Sequence, residues 1–187
     1  MSLKNRIKDD IIDWSVNVLE KPNKHLNNFP ACPYAKQTRL QNKLHIQVNT
    51  ETANFFQTIE KEIKRFSSLK KDIIIVADPN VEDVTPYCLQ YFVDTRNIQL
   101  QHDDIYLMCF HPSSPATMED QAFLADHEWD SNTVEPYMMV FIQELKKLQD
   151  ASTHLQKQGY YDEWPKDYYN EVVGPRQKLK PKFRSSL

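Results

Sequence analysis

A thiol and an imidazole are the side chains of this sequence best suited to chemistry near neutral pH. Cys32 lies in a polar loop between two prolines and close to Lys36, where a cation or a helix N-terminus lowers the pKa of an exposed thiol. His111 ends an apolar run and precedes Pro112, a position from which an imidazole can act as a general base. Cys32 as nucleophile and His111 as base therefore form a coherent catalytic pair. Each residue also has a structural interpretation: Cys32 can be part of a shaped turn, and His111 can cap the end of a strand.

The same residues suggest a zinc site as a minor alternative. Cys109 and His111 are two positions apart on a predicted strand and share a face, so Cys32 could join them as a third ligand with the fourth position open. The sequence has neither Cys-x-x-Cys nor His-Glu-x-x-His, the usual zinc signatures. We therefore expect no cofactor, and expect Cys109 and Cys88 to pack in the core. A histidine among carboxylates at 126–130 could bind a hard metal ion, but is more typical of a solvated surface.

Composition excludes several classes of protein. The 187 residues carry 23 Lys and Arg against 26 Asp and Glu, a net charge of -3, and 40% are hydrophobic, which is typical of one soluble globular domain with an extension. No apolar run approaches the ~20 residues that cross a bilayer, and the first ten residues are charged, so we expect a cytoplasmic protein without a membrane span. Three cysteines, an odd and sparse set, indicate reduced thiols.

Glycine is scarce in this chain. Only Gly159 and Gly174 occur, where average usage would give about thirteen. Loops that cradle phosphates need glycines for the close approach of their backbone, so a P-loop, a dinucleotide fingerprint and a kinase-type lid are excluded. Nucleic acid is disfavoured as well, because removal of the basic residues of 176–187 leaves 18 basic and 26 acidic residues, a body that repels phosphates.

Hydrophobic periodicity predicts the elements that position these residues. An apolar stripe marks a first helix over 2–20, and Thr85 and Pro86 form a good helix start. Strands are predicted at 44–48, 73–77 and 105–110, separated by helices at 55–66 and 85–97. Each crossover is long enough to contain a helix, so the strands can run parallel in a βαβαβ order. We predict an α/β or mixed α+β domain with a sheet of three or more strands, packed by an N-terminal and a long C-terminal helix.

The long C-terminal helix is predicted to begin at Glu135-Pro136 and to stop at Gly159. Its apolar stripe consists of Tyr137, Phe141, Leu145 and Leu148. We accordingly predict a single domain over 1–158 and a C-terminal extension over 159–187 that wraps the domain or hangs free.

Ligands bind outside the carboxyl ends of the strands in open α/β sheets. In this chain those ends are followed by Asn49, Asp78 and His111. Asp78 precedes Pro79, which is also typical of a turn whose side chain bonds its own backbone.

Four short motifs follow one another over about residues 10–150. They are Trp14 in the first helix, Cys32-Pro33-Tyr34-Ala35-Lys36, Phe110-His111-Pro112, and Asn132 ahead of Pro136-Tyr137. Together they resemble a bacterial family of uncharacterised small proteins, a domain of unknown function. The chain departs from that family at Ala31, Tyr34 and Val134-Glu135, where the family has leucine, phenylalanine and an arginine. The resemblance implies no activity, only that Cys32, His111, Asn132 and Tyr137 converge in space.

Two functions are predicted from these patterns. The first is an enzyme acting on a small molecule in a pocket at the carboxyl ends of the strands. Its pocket would be lined by Cys32, Asp78, His111, Asn132 and Tyr137. The second is a non-catalytic binding or adaptor protein, in which the acidic loop at 113–132 and the aromatic, basic tail dock a protein partner or a second copy of the chain.

Overall fold

The computed structural model describes residues 1–50, 54–113 and 135–181. Its elements are α1 (Leu3–Trp14), α2 (Ala35–Leu40), β1 (Leu44–Val48), α3 (Phe55–Leu69), β2 (Ile73–Asp78), α4 (Pro86–Leu100), β3 (Ile105–Phe110), β4 (Met138–Glu144), α5 (Leu145–Lys157), α6 (Lys166–Val172) and α7 (Gly174–Lys178). A π-helical turn, Ser15–Leu19, continues α1. Among these helices none combines the length and the apolar character needed to cross a lipid bilayer.

The four described strands form one mixed sheet in the order β1-β2-β4-β3. β1 and β2 pair in parallel, whereas β4 lies between β2 and β3 and runs antiparallel to both. The predicted fold class is therefore confirmed as mixed α/β, and the three predicted strands do point the same way. The predicted βαβαβ order is not confirmed, because β4 lies between β2 and β3 in the sheet.

The predicted helix start at Glu135-Pro136 is wrong, because residues Met138–Glu144 form β4 and the helix begins only at Leu145. The error has a physical cause. From Met138 through Ile142 the side chains are all buried, since helices cover both faces of the sheet at this central strand. A strand buried on both faces has no two-residue alternation, so an apolar residue at every fourth position looked helical.

Each face of the sheet carries its own hydrophobic core. Helices α3 and α4 cover one face, where Ile59 and Val93 belong to the cluster that includes Ile74 and Leu107. Helix α1 covers the other face, where the cluster includes Ile7, Ile11, Trp14, Ile75 and Phe141. Ile7, Ile11 and Trp14, three apolar residues of the predicted first helix, are thus in the core, while Leu3 is exposed. We call these clusters the α3–α4 core and the α1 core.

The segment after α5 packs against the rest of the chain. Tyr160 is buried beside Leu26 and Leu155, and its hydroxyl donates a hydrogen bond to the carbonyl of Ala31 at 2.7 Å. Asn27 donates from its side chain to the carbonyl of Gly159 at 3.0 Å. Of the two arrangements predicted for the tail, wrapping is the one adopted by its described part, 159–181.

Candidate binding cleft

His111 fastens the end of β3 to the loop before α4. Its ring is buried, its Nδ1 accepts a hydrogen bond from the backbone N–H of Ser113 at 3.0 Å, and its Nε2 lies 2.8 Å from the carbonyl oxygen of Val84. Because Nδ1 accepts, the ring proton is on Nε2, which donates to Val84. Both nitrogens are engaged in backbone contacts, so neither offers a lone pair to a substrate in this arrangement.

Cys32 and His111 lie on opposite faces of the sheet. Side chains alternate along β3, where Cys109 packs against the α3–α4 core and Phe110 against the α1 core. His111 continues on the side of Cys109 and contacts Val84, whereas Cys32 packs against the α1 core. The structure therefore does not bring the predicted nucleophile and base together, and it does not assemble Cys32, Cys109 and His111 as metal ligands. Over the described ranges, no three His, Cys, Asp or Glu side chains cluster as a metal site.

Cys32 and Cys88 lie in environments other than those predicted, whereas Cys109 packs against the α3–α4 core as expected. Burial raises the pKa of Cys32, although the backbone N–H groups of Tyr34 and Ala35 offset part of that effect, so the shift runs opposite to the one expected near Lys36. Burial also raises the pKa of Cys109 to about 12. Cys88 is exposed, and its expected place in the core is wrong because the neighbouring Leu89 is the residue that α4 turns inward.

Asp78 performs the turn role that its sequence context suggested. Its Oδ1 accepts from the backbone N–H of Asn80 at 2.8 Å, and its Oδ2 accepts from the side-chain amide of Asn49 at 2.7 Å. Asn49 in turn accepts a hydrogen bond from the hydroxyl of Thr58 at 3.1 Å. Asn49 and Asp78, which follow or end two of the strands, are thus brought together. They form a buried network of hydrogen bonds that connects β1, β2 and α3.

Tyr137 ties β4 to the N-terminal helix. Its hydroxyl donates to Oδ2 of Asp10 at 2.6 Å, and burial followed by this hydrogen bond raises its pKa. Asn132 and the acidic cluster at 126–130 lie outside the described residues. Of the described residues predicted to line one pocket, only Cys32 lines the cleft that follows.

A cleft of about 390 Å³ lies beside β3, and its lining includes residues from both faces of the sheet. Its walls come from the end of α1, the loop with Cys32, the β3 side of the sheet, α4, α5, and the C-terminal helices. They include Trp14, Cys32, Phe110, Phe141, Trp164 and Arg176. Most of this lining is apolar or aromatic, and the volume is within the range of sites for small molecules.

Aromatic side chains form two opposite walls of the cleft. Trp14 meets Phe110 and Phe141 edge to face, with ring centroids 6.3 and 6.4 Å apart. The other wall is a chain of ring contacts at 4.8 to 5.4 Å. Its members are Tyr160, Tyr161, Trp164 and Tyr168. The indole N–H of Trp14 is buried, and no acceptor for it exists among the residues that the structure describes.

Arg176 places a positive charge in this cleft. The residue is only 7% exposed, and its guanidinium donates to Ser152 Oγ at 2.9 and 3.3 Å and to the carbonyl of Val172 at 3.3 Å. Tyr161 Oη lies 3.5 Å away. The charge also acts to lower the pKa of Cys32 and Tyr160, although burial, the largest cause, raises both. Within the described ranges no carboxylate lies within 4 Å of this guanidinium.

No local pattern indicated that Arg176 is buried, since this residue belongs to a run of basic residues in the tail. The only signal was the pair Val172-Val173 just before it, of which Val173 is fully buried. Comparison of the chain with models of protein families, with curated proteins and with solved structures finds no match. The resemblance to an uncharacterised bacterial family therefore stays a prediction.

Proposed function

We propose that this protein binds a small, mainly apolar molecule in the cleft between its N-terminal helix and its C-terminal segment. The observation that carries the proposal is the cavity itself, about 390 Å³ between two aromatic walls. Enclosed, mostly apolar cavities with a few polar groups are the usual form of small-molecule sites. The polar groups here include the Arg176 guanidinium, the Cys32 thiol and the Trp14 N–H.

Binding is better supported than catalysis by a thiol and an imidazole. The enzyme hypothesis requires Cys32 and His111 to share a site, and they pack in different cores. A nucleophilic thiol also needs a lowered pKa or an adjacent base, whereas burial raises the pKa of Cys32.

Docking of a protein partner through the aromatic tail is also less well supported. The tail aromatics Tyr160, Trp164 and Tyr168 line the cleft and pack on the domain instead of forming an outer surface. As to location, we propose the cytoplasm, because the three cysteines are free thiols, as expected in a reducing compartment.

Binding can be measured with Nile red, an uncharged dye whose emission rises and shifts to the blue in apolar surroundings. Ala151 is half-buried on α5 and lines the cleft, so Ala151→Phe fills part of the cavity. We expect the wild-type protein to bind the dye and this variant to bind it at least about tenfold more weakly. The reason is that the added ring occupies part of the volume that the dye needs, and a packed interior does not readily make room for both.

Thr153→Phe is the matched control. Thr153 is exposed on the same helix and does not line the cleft, so this variant gains the same ring outside the site. We expect it to bind Nile red like the wild type, with both variants folded by circular dichroism. Equal binding by all three proteins, or no binding by the wild type, would contradict the proposed function.

A further inference from the structure

We propose that the ligand of the cleft is an apolar monocarboxylate whose carboxylate pairs with Arg176. This inference rests on the proposed function and names the class of molecule bound. The guanidinium of Arg176 is buried, and the hydrogen-bond partners that it has among the described residues are all neutral, two hydroxyls and a carbonyl. A buried charge is costly unless an opposite charge accompanies it, so buried arginines are normally paired.

The described residues leave this charge unneutralised. Two carboxylates line the cleft, Asp94 on α4 and Glu171 on α6, and both lie more than 4 Å from the guanidinium. The groups that the guanidinium contacts are instead neutral, namely Ser152, Val172 and Tyr161. A carboxylate in the cleft would supply the missing negative charge, and its two oxygens match the fork of a guanidinium.

The remainder of the cleft sets the shape of the ligand. The lining also includes Leu148 and Leu155 on α5 and the rings of Trp14 and Phe141. These side chains offer apolar contact and one donor that has no partner among the described residues, the Trp14 N–H. The cleft therefore suits one charged group attached to an apolar chain or ring, and it offers little to a sugar or another strongly polar body.

The test compares decanoate with 1-decanol, which has the same chain length and no charge. Dissociation constants are measured by displacement of Nile red from the wild-type protein, from Arg176→Gln and from Lys178→Gln. Lys178 is exposed on the same short helix, so its variant removes one positive charge from the tail without changing the cleft.

We expect the wild type to prefer decanoate although decanol is the more apolar compound. Arg176→Gln should weaken decanoate binding by about 30-fold and decanol binding by less than about threefold, because only the charged head loses its partner. Lys178→Gln should bind both compounds like the wild type. Arg176→Lys should bind decanoate with intermediate affinity, since it keeps the charge and loses the fork.

The outcomes separate this inference from the proposed function. If the wild type binds decanol as tightly as decanoate, or if Arg176→Gln leaves decanoate binding unchanged, the carboxylate assignment is overturned while the apolar cleft stands. If neither compound displaces the dye and the dye itself does not bind, the proposed function fails and this inference with it. Should Arg176→Gln not fold, the ratio of the two affinities in the wild type still decides the question.

Discussion

The side-chain amide of Asn97 makes both of the backbone hydrogen bonds that Leu107 offers on the outer edge of β3. Asn97 Oδ1 accepts from the N–H of Leu107 at 2.7 Å, and Asn97 Nδ2 donates to the Leu107 carbonyl at 3.0 Å. An amide side chain of α4 thus takes the place of a neighbouring strand. Edge strands expose such groups to pairing with other chains, and here the central residue of the edge is already satisfied.

Replacement of Asn97 by leucine should destabilise the fold by about 2 to 4 kcal/mol. The substitution leaves a buried N–H and a buried C=O of Leu107 without partners, and each unpaired group costs about 1 to 3 kcal/mol. Urea unfolding measures the loss, with Thr95→Leu, an exposed change on the same helix, expected to stay within about 0.5 kcal/mol of wild type. A midpoint for Asn97→Leu equal to that of the control would contradict the role assigned to this amide.

The ion pair between Glu20 and Arg39 should make stability depend on acid. Arg39 donates to both carboxylate oxygens of Glu20, at 2.7 and 2.8 Å, and this contact lowers the pKa of Glu20 below its ordinary value of 4.5. The contribution is therefore complete above about pH 4.5 and disappears as the pH falls through the lowered pKa.

The measurement is the urea midpoint between pH 7 and pH 3. Glu20→Gln should be less stable than wild type at pH 7, and the difference should shrink as the pH is lowered toward 3, because the wild-type carboxylate takes up a proton as the pH approaches its lowered pKa. The exposed pair Lys146–Asp150 provides the control, since Asp150→Asn should change little at either pH. A constant difference between Glu20→Gln and wild type across this range would argue against the assignment.

Thiol chemistry should single out Cys88. This residue is exposed, whereas burial raises the pKa of both Cys32 and Cys109, and the thiolate is the reactive form. With Ellman's reagent at pH 7.5 we expect one fast thiol and two slow ones in the native protein. Cys88→Ser should lack the fast phase and retain the slow ones. A fast phase that persists in Cys88→Ser would show that one of the buried thiols is reactive.

Loss of the His111 ring should affect the fold and leave the cleft intact. His111→Ala removes hydrogen bonds to Val84 and Ser113 in a buried position, so we expect a loss of about 2 to 3 kcal/mol in the free energy of unfolding. Its affinity for Nile red should stay within about twofold of the wild-type value, because His111 is not among the residues that line the cleft. The exposed change His154→Ala should alter neither quantity. Lost dye binding in a stable His111→Ala would place the imidazole in the site after all.

Short sequence patterns, such as a helix cap or a β-branched run, predicted the elements in which they lie. Thr85 caps α4 as expected, its hydroxyl accepting from the N–H of Cys88 at 3.2 Å, and the β-branched run at 73–77 lies in β2. The start of the C-terminal helix was misjudged because β4 is covered on both faces and carries no alternation. The mixed α/β class could thus be predicted, while the strand order depended on β4, which the periodicity did not identify.

The candidate site was less predictable than the fold. Cys32 was identified from its place between prolines, and it does line the cleft. Its predicted partner His111 was chosen from the rule for strand ends. That rule does not say on which face of the sheet a side chain lies, since the face depends on side-chain alternation and on which helix covers each face. Arg176 was missed because its burial results from contacts with Ser152 and Tyr161, which no pattern within the tail reveals.

Two tryptophans of the cleft come from distant parts of the described chain, Trp14 on α1 and Trp164 beside α6. During synthesis Trp14 leaves the ribosome long before Trp164, so a growing chain has an open apolar surface that the C-terminal segment later covers. The proposed ligand would therefore be enclosed only after the residues through Arg176 have been synthesised. A protease that cut after Gln158 would separate the C-terminal wall from the domain, and we expect such a cut to release the proposed ligand and to expose rings that favour aggregation.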